Sequence, residues 1–123
     1  MNKIFLHIAF IFSLAFANGQ STDEQLANYY FNEGDCEKAL PYFEKVYDIN
    51  PSEFIFTRYL SCLKESNQNK ETIQLIEKQI SNHPYNTEYK VALGDEYEQQ
   101  NNQKKADKTY LDLIDNLQPN PRG

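Results

Sequence analysis

Apolar residues recur along this chain at helical spacing, in short blocks separated by polar turns. Leu26, Ala27 and Tyr30 mark one face of a first block, and Ala39, Phe43 and Val46 share a face of a second. Steps of three and four are those of an amphipathic helix; a half-buried strand would alternate. Gly34–Asp35 lies between the blocks and Pro51 stops the second. Ser21 and Glu24 fit a capping box ahead of the first helix. Asp35 can cap the second and Ser52 a third. The same reading predicts six helices. The first ends near Asn32, and the next three cover about Cys36–Ile49, Glu53–Ser66 and Lys70–Asn82. The fifth, capped by Asn86 or Thr87, runs to about Gln100, and the sixth follows the turn 101–103 and runs to about Leu117. Pro41, inside the second helix, removes the amide bond to Glu37 and is expected to bend the helix slightly.

The blocks repeat. Leu26-Ala27-x-x-Tyr30, then Ala39-x-x-x-Phe43, then Pro51 returns as Leu93-Gly94-x-x-Tyr97, then Ala106-x-x-x-Tyr110, then Pro119. The leucine, the tyrosine and the alanine keep one offset (26 to 93, 30 to 97, 39 to 106). Half that offset is close to a period of about 34, so a middle copy is expected. Leu60-Ser61 falls one full period after Leu26-Ala27, and Ile73 falls one after Ala39. Ile76 and Pro84, however, fall one position short of a period after Phe43 and Pro51, so this copy slips. The expected pairs are about 20–53, 54–86 and 87–120, with a loose tail at 120–123. No single pair can bury its own apolar face, and three is about the minimum for a shared core. Ala27, Ser61 and Gly94, with Ala39 and Ala106 opposite, are small enough for close helix approach. Gly94→Leu should overpack that contact at about 1–3 kcal/mol.

These residues resemble the tetratricopeptide repeat family over about residues 20–119. The resemblance implies an all-α fold: a right-handed superhelix of three helix-turn-helix repeats whose first (A) helices line a concave groove for a partner segment. It also implies a scaffold without chemistry of its own. Register puts Glu24, Asn28, Phe31 and Asn32 on the groove side of the first A helix. It puts Ile55, Arg58, Cys62 and Glu65 there in the second, and Glu88, Val91, Asp95, Glu98 and Gln99 in the third. The carboxylates of the third helix suit a basic segment with Phe31 as an apolar anchor; the plainer reading is an ordinary solvated helix face.

Residues 1–20 stand apart. Lys3, the apolar run Ile4–Ala17 and the small-x-small triplet Ala15-Phe16-Ala17 fit a secretory signal peptide. The run is shorter than the roughly 20 residues of a membrane-spanning helix. Cleavage near Ala17 to Gln20 would give a secreted or periplasmic protein without a stable membrane anchor. The net charge is −6, and losing Lys3 makes the remainder more acidic. That disfavours nucleic acid and anionic membrane surfaces as partners. Tyr (9) and Phe (8) are the candidate core-formers in a chain without Trp.

No phosphate loop, HExxH, CxxC or GxSxG is present, and no nucleophile is paired with a base, so neither an enzyme nor a cofactor is expected. His83, beside Pro84, lacks a second ligand at metal spacing. Cys36 and Cys62 fall on neighbouring helices of the expected stack, and an oxidising compartment permits a disulfide. Yet Cys62 maps to the groove side while Cys36 opens a second helix. Two separate thiols are therefore the expectation, with a Cys36–Cys62 disulfide as the alternative. Finally, Leu111 and Ile114 lie off the Ala106/Tyr110/Leu113 face with no capping helix after them. They are a candidate surface for homo-oligomerisation or docking, or the mark of a shortened array. The expected function is a protein-binding scaffold in the cell envelope. The alternatives are an assembly subunit using Leu111 and Ile114, or a truncated array without independent function.

Overall fold

The computed structural model describes residues 21–118; the apolar N-terminal segment with its cleavage site, and the tail 120–123, lie outside the described residues. Among those described, six helices follow one another: α1 Thr22–Asn32, α2 Cys36–Ile49, α3 Glu53–Glu65, α4 Asn69–Asn82, α5 Glu88–Gln99 and α6 Gln103–Leu117. Regular structure among the described residues is entirely helical. The predicted caps form at the first three helices. Ser21 Oγ accepts from the Glu24 amide at 3.1 Å, Asp35 Oδ1 from Lys38 at 3.1 Å, and Ser52 Oγ from Ile55 at 3.3 Å. Asn86 Oδ1 accepts from the Glu88 amide ahead of α5 at 3.0 Å. Pro41 is carried inside α2 without ending it.

One turn is used three times. Gly34, Asn67 and Asn101 take φ of 75°, 54° and 59°. In each case the next residue's amide reaches back to close the preceding helix: Asp35 to the Tyr30 carbonyl at 2.9 Å, Gln68 to Leu63 at 3.0 Å, Asn102 to Tyr97 at 2.8 Å. This is the Schellman arrangement, in which a left-handed residue satisfies the orphan carbonyls of a helix end. Gly and Asn supply that conformation at least cost. Asp35 and Asn102 then cap the following helix, so one pair of residues both ends an A helix and starts the next.

These turns correct the middle register. The step from Gly34 to Asn67 is one position shorter than the step from Asn67 to Asn101, so the missing residue falls before α3 rather than within the pair. Tyr59-Leu60, not Leu60-Ser61, therefore correspond to Leu26-Ala27, and Ser61 is exposed. Thr72, 1 % exposed, takes the position of Ala39 that the expected register assigns to Ile73. It can do so because its hydroxyl is satisfied locally, donating to the Gln68 carbonyl at 2.7 Å.

The described residues divide into two compact units, which part between Cys62 and Leu63. In the first, Ala27, Ala39, Phe43, Tyr47, Ile55, Phe56 and Cys62 are buried. Phe43 meets Phe31 edge-on, with ring centroids 6.0 Å apart, and stacks on Tyr59 at 6.2 Å. Cys36 and Cys62 are joined by a disulfide with Cα atoms 5.0 Å apart, which corrects the expectation of two thiols. The register error underlies that expectation: Ile55 and Cys62, assigned to the groove, are both 0 % exposed and face the core.

In the second unit, Leu75, Ile76, Tyr89, Ala106 and Leu113 are buried. Gln79, also fully buried, donates to the Tyr89 hydroxyl at 3.1 Å. Glu96, 5 % exposed, is neutralised by Lys64 Nζ at 3.0 Å and accepts from Gln100 Nε2 at 3.0 Å. Gly94 lies under the Tyr110 ring. A Cβ there would fall 2.2 Å from Tyr110 Cε1 and 2.6 Å from Cζ. Even Gly94→Ala must therefore displace the ring, and Gly94→Leu more so. An expected loss of about 1–3 kcal/mol should appear as a lower denaturation midpoint, larger for Leu than for Ala.

Candidate functional site

Four of the positions assigned to a binding face meet in the first unit. Asn28, Phe31 and Asn32 share one face of α1, a single helical turn apart, and Arg58 projects from α3. Arg58 Nη1 donates to Asn28 Oδ1 at 3.0 Å and, more weakly, to Asn32 Oδ1 at 3.5 Å. Its guanidinium carbon lies 4.8 Å from the centre of the Phe31 ring and 4.2 Å from that of Phe54. Arg58 is thus held by two amide oxygens and two aromatic faces, all of them neutral. A planar, weakly hydrated guanidinium can stack on two rings while its N–H groups reach the amide oxygens, which a compact ammonium cannot do in the same way. Phe54 remains half exposed. It is not among the sequence-assigned residues, although it stands one helical turn before Arg58. Glu24, at the start of α1, is half-buried and takes no part in these contacts.

The second unit carries the acidic face. Glu88, Asp95 and Glu98 are exposed along α5, with Val91 between them. Two of the three are engaged by α6. Asp95 accepts from the Tyr110 hydroxyl, and Glu98 accepts from Gln103 Nε2 at 3.5 Å. Gln99 turns to Lys64, whose Nζ donates to its amide oxygen at 3.0 Å, so it belongs with the buried Glu96. Leu111 and Ile114 are exposed on α6, as the hydrophobic pattern suggests.

The bond to Asp95 has a titration consequence. It pushes the Tyr110 phenol up to about 12, helped by partial desolvation and by the negative charges of Asp95 and Glu98. The ordinary value is 10.0, so the folded state holds this proton more tightly than the unfolded chain does. The stabilisation is fully present below about pH 10 and is lost as pH rises through about 12. Tyr110→Phe should flatten this last part of the alkaline unfolding curve, followed by circular dichroism. It should also remove a phenol that ionises near pH 12 from an ultraviolet titration.

The family model described as tetratricopeptide repeat matches residues 24–53, which cover nearly all of α1 and α2. Among solved structures, the chain resembles MamA (AMB-1) with a TM-score of 0.59 and 19 % identity. That match covers 76 % of this chain and 51 % of the other, so the chain spans about half the length of that protein. At this identity the likeness speaks to the fold. No curated protein matches the sequence.

Proposed function

We propose that the chain is a tetratricopeptide-repeat protein, a reading supported by the repeat matched over residues 24–53 and by the likeness of fold, and that it is a non-catalytic scaffold of the cell envelope that binds a partner protein's segment on its A-helix faces. Protein interaction in general is what the repeat and the fold support. The observation that carries the finer reading is the cluster around Arg58. Phe31 and Phe54 offer an apolar platform. Asn28 and Asn32 spend their oxygens on Arg58, which leaves their NH₂ groups to donate to a peptide backbone. Apolar surface beside convergent polar groups is what an extended or helical segment needs for affinity and register. The exposed Glu88, Asp95 and Glu98 of α5 suit Lys or Arg in the bound segment, so a basic partner fits that unit.

Titrating the purified protein into labelled Lys-rich and neutral peptides, read by fluorescence anisotropy, tests this. Phe31→Ala and Arg58→Ala should weaken binding of both sets. Asp95→Lys should weaken only the Lys-rich set, whose affinity should also fall with salt, since exposed charges are screened over about 10 Å at 0.1 M. Binding that ignores all three substitutions would overturn the reading. The envelope location draws on Lys3, the Ile4–Ala17 run and Ala15-Phe16-Ala17. The Cys36–Cys62 disulfide suits an oxidising compartment. N-terminal sequencing should find the protein cut near Ala17 to Gln20; a chain that keeps Met1 in the cytosol would refute it.

A further inference from the structure

Arg58 fixes the direction of two side-chain amides. Its Nη1 takes the oxygen of Asn28 at 3.0 Å and, more weakly, that of Asn32 at 3.5 Å. A side-chain amide carries its oxygen and its NH₂ on opposite sides of one carbon, so each NH₂ is turned away from the guanidinium. Among the described residues neither NH₂ has an acceptor. Arg58 is itself held, because Phe31 and Phe54 lie 4.8 and 4.2 Å from its guanidinium carbon. The two donors are therefore in place before a ligand arrives, which lowers the ordering cost of binding.

Asn28 and Asn32 leave α1 one turn apart, about 6 Å along the axis at a rise of about 1.5 Å per residue. Carbonyls on one edge of a β-extended chain recur every second residue, about 6.6–6.8 Å apart. A polyproline-II chain repeats only after three residues, about 9 Å, too far for two donors pinned to one arginine. A helix bonds its carbonyls internally and leaves free ones only in its last turn. We propose, resting on the partner-binding reading above, that the segment bound at Arg58 is β-extended and runs along α1. The carbonyls of two residues, one apart from the next but one, accept from Asn28 and Asn32. Phe54, 50 % exposed, takes an apolar side chain from the same stretch. Main-chain bonds then supply affinity for many sequences, and the side chain over Phe54 selects among them.

Three labelled, uncharged peptides of equal length test it: one rich in Val and Thr, one rich in Pro, and one rich in Ala and locked as a helix by a side-chain bridge. By fluorescence anisotropy the Val/Thr peptide should bind tightest. Asn28→Asp and Asn32→Asp keep the oxygen that receives Arg58 and replace only the NH₂. Each should weaken the Val/Thr peptide by about three- to tenfold, the worth of one net hydrogen bond, with unchanged circular dichroism. An ester scan of that peptide reads the same contacts from the ligand side and serves should an Asp variant lose helix. An ester carbonyl is the poorer acceptor, so binding should fall at two linkages two residues apart. The proposal is overturned if the helical or the Pro-rich peptide binds as tightly, if both Asp variants bind as the parent does, or if no such pair of linkages is found. Should Phe31→Ala still weaken binding in those cases, the partner-binding reading stands and only the extended geometry falls. Phe31→Ala without effect on any of the peptides overturns both.

Discussion

Phe43→Ala is expected to lower the stability of the first unit by about 3–5 kcal/mol, the range for deleting a large buried ring. Phe43 is 0 % exposed and is among the largest fully buried side chains of the chain. Its ring is the shared neighbour of two others: Phe31 meets its edge at 80°, and Tyr59 stacks on it at 21°. Removing it leaves a void lined by both rings, each of which forfeits dispersion contacts that water cannot restore in a small apolar cavity. A small domain has only about 5–15 kcal/mol in total, so a large part of its stability hangs on this ring. Denaturant unfolding followed by circular dichroism should show a much lower midpoint with an unchanged slope. Phe43→Leu should recover part of the loss. A shift below about 1 kcal/mol would contradict the burial, since surface substitutions typically stay within ±0.5 kcal/mol. The same substitution should weaken peptide binding, because Phe31 joins this ring to Arg58.

The helices are legible in the sequence because their ends are written in local chemistry. Ser21, Asp35 and Ser52 cap, Gly34 turns, and Pro51 stops; none of these depends on a distant contact. The first and third pairs are legible because Ala27 with Phe43 and Gly94 with Tyr110 set a small residue and a ring at the same spacing. The middle pair misleads by one position. Leu60-Ser61 looks like a large and a small residue in sequence, while burial selects Phe56, Cys62 and Leu63 instead. The correct register is signalled by Asn67, Ile76 and Pro84, which follow Gly34, Phe43 and Pro51 at one common step. That single slip places Ile55 and Cys62 on the outside and hides their packing. Residues such as Gln79 and Glu96 are unreadable for another reason. A polar side chain is buried where a partner waits, and Tyr89 and Lys64 come from other helices.

Breaking the Cys36–Cys62 bond is expected to cost about 3–4 kcal/mol, from the chain-entropy relation for a loop of this length with the two cysteines 26 residues apart. The bond ties the first residue of α2 to the last turn of α3. It thereby fixes α3, and with it Arg58 one turn earlier, against the helices that carry Phe31 and Phe43. The Cys36→Ala/Cys62→Ala double variant isolates the cross-link from thiol chemistry and should unfold at a clearly lower midpoint. Its amide exchange should rise first in α3, where the tether is lost. Reduction of the native protein should be slow. Cys36 is 6 % exposed and Cys62 is 0 % exposed, so a reductant must wait for the unit to open, and mild denaturant should speed the reaction far more than additional reductant does. Equal midpoints for the oxidised and reduced protein would show that packing alone holds α3. Arg58 would then keep its seat between Phe31 and Phe54 without the bond.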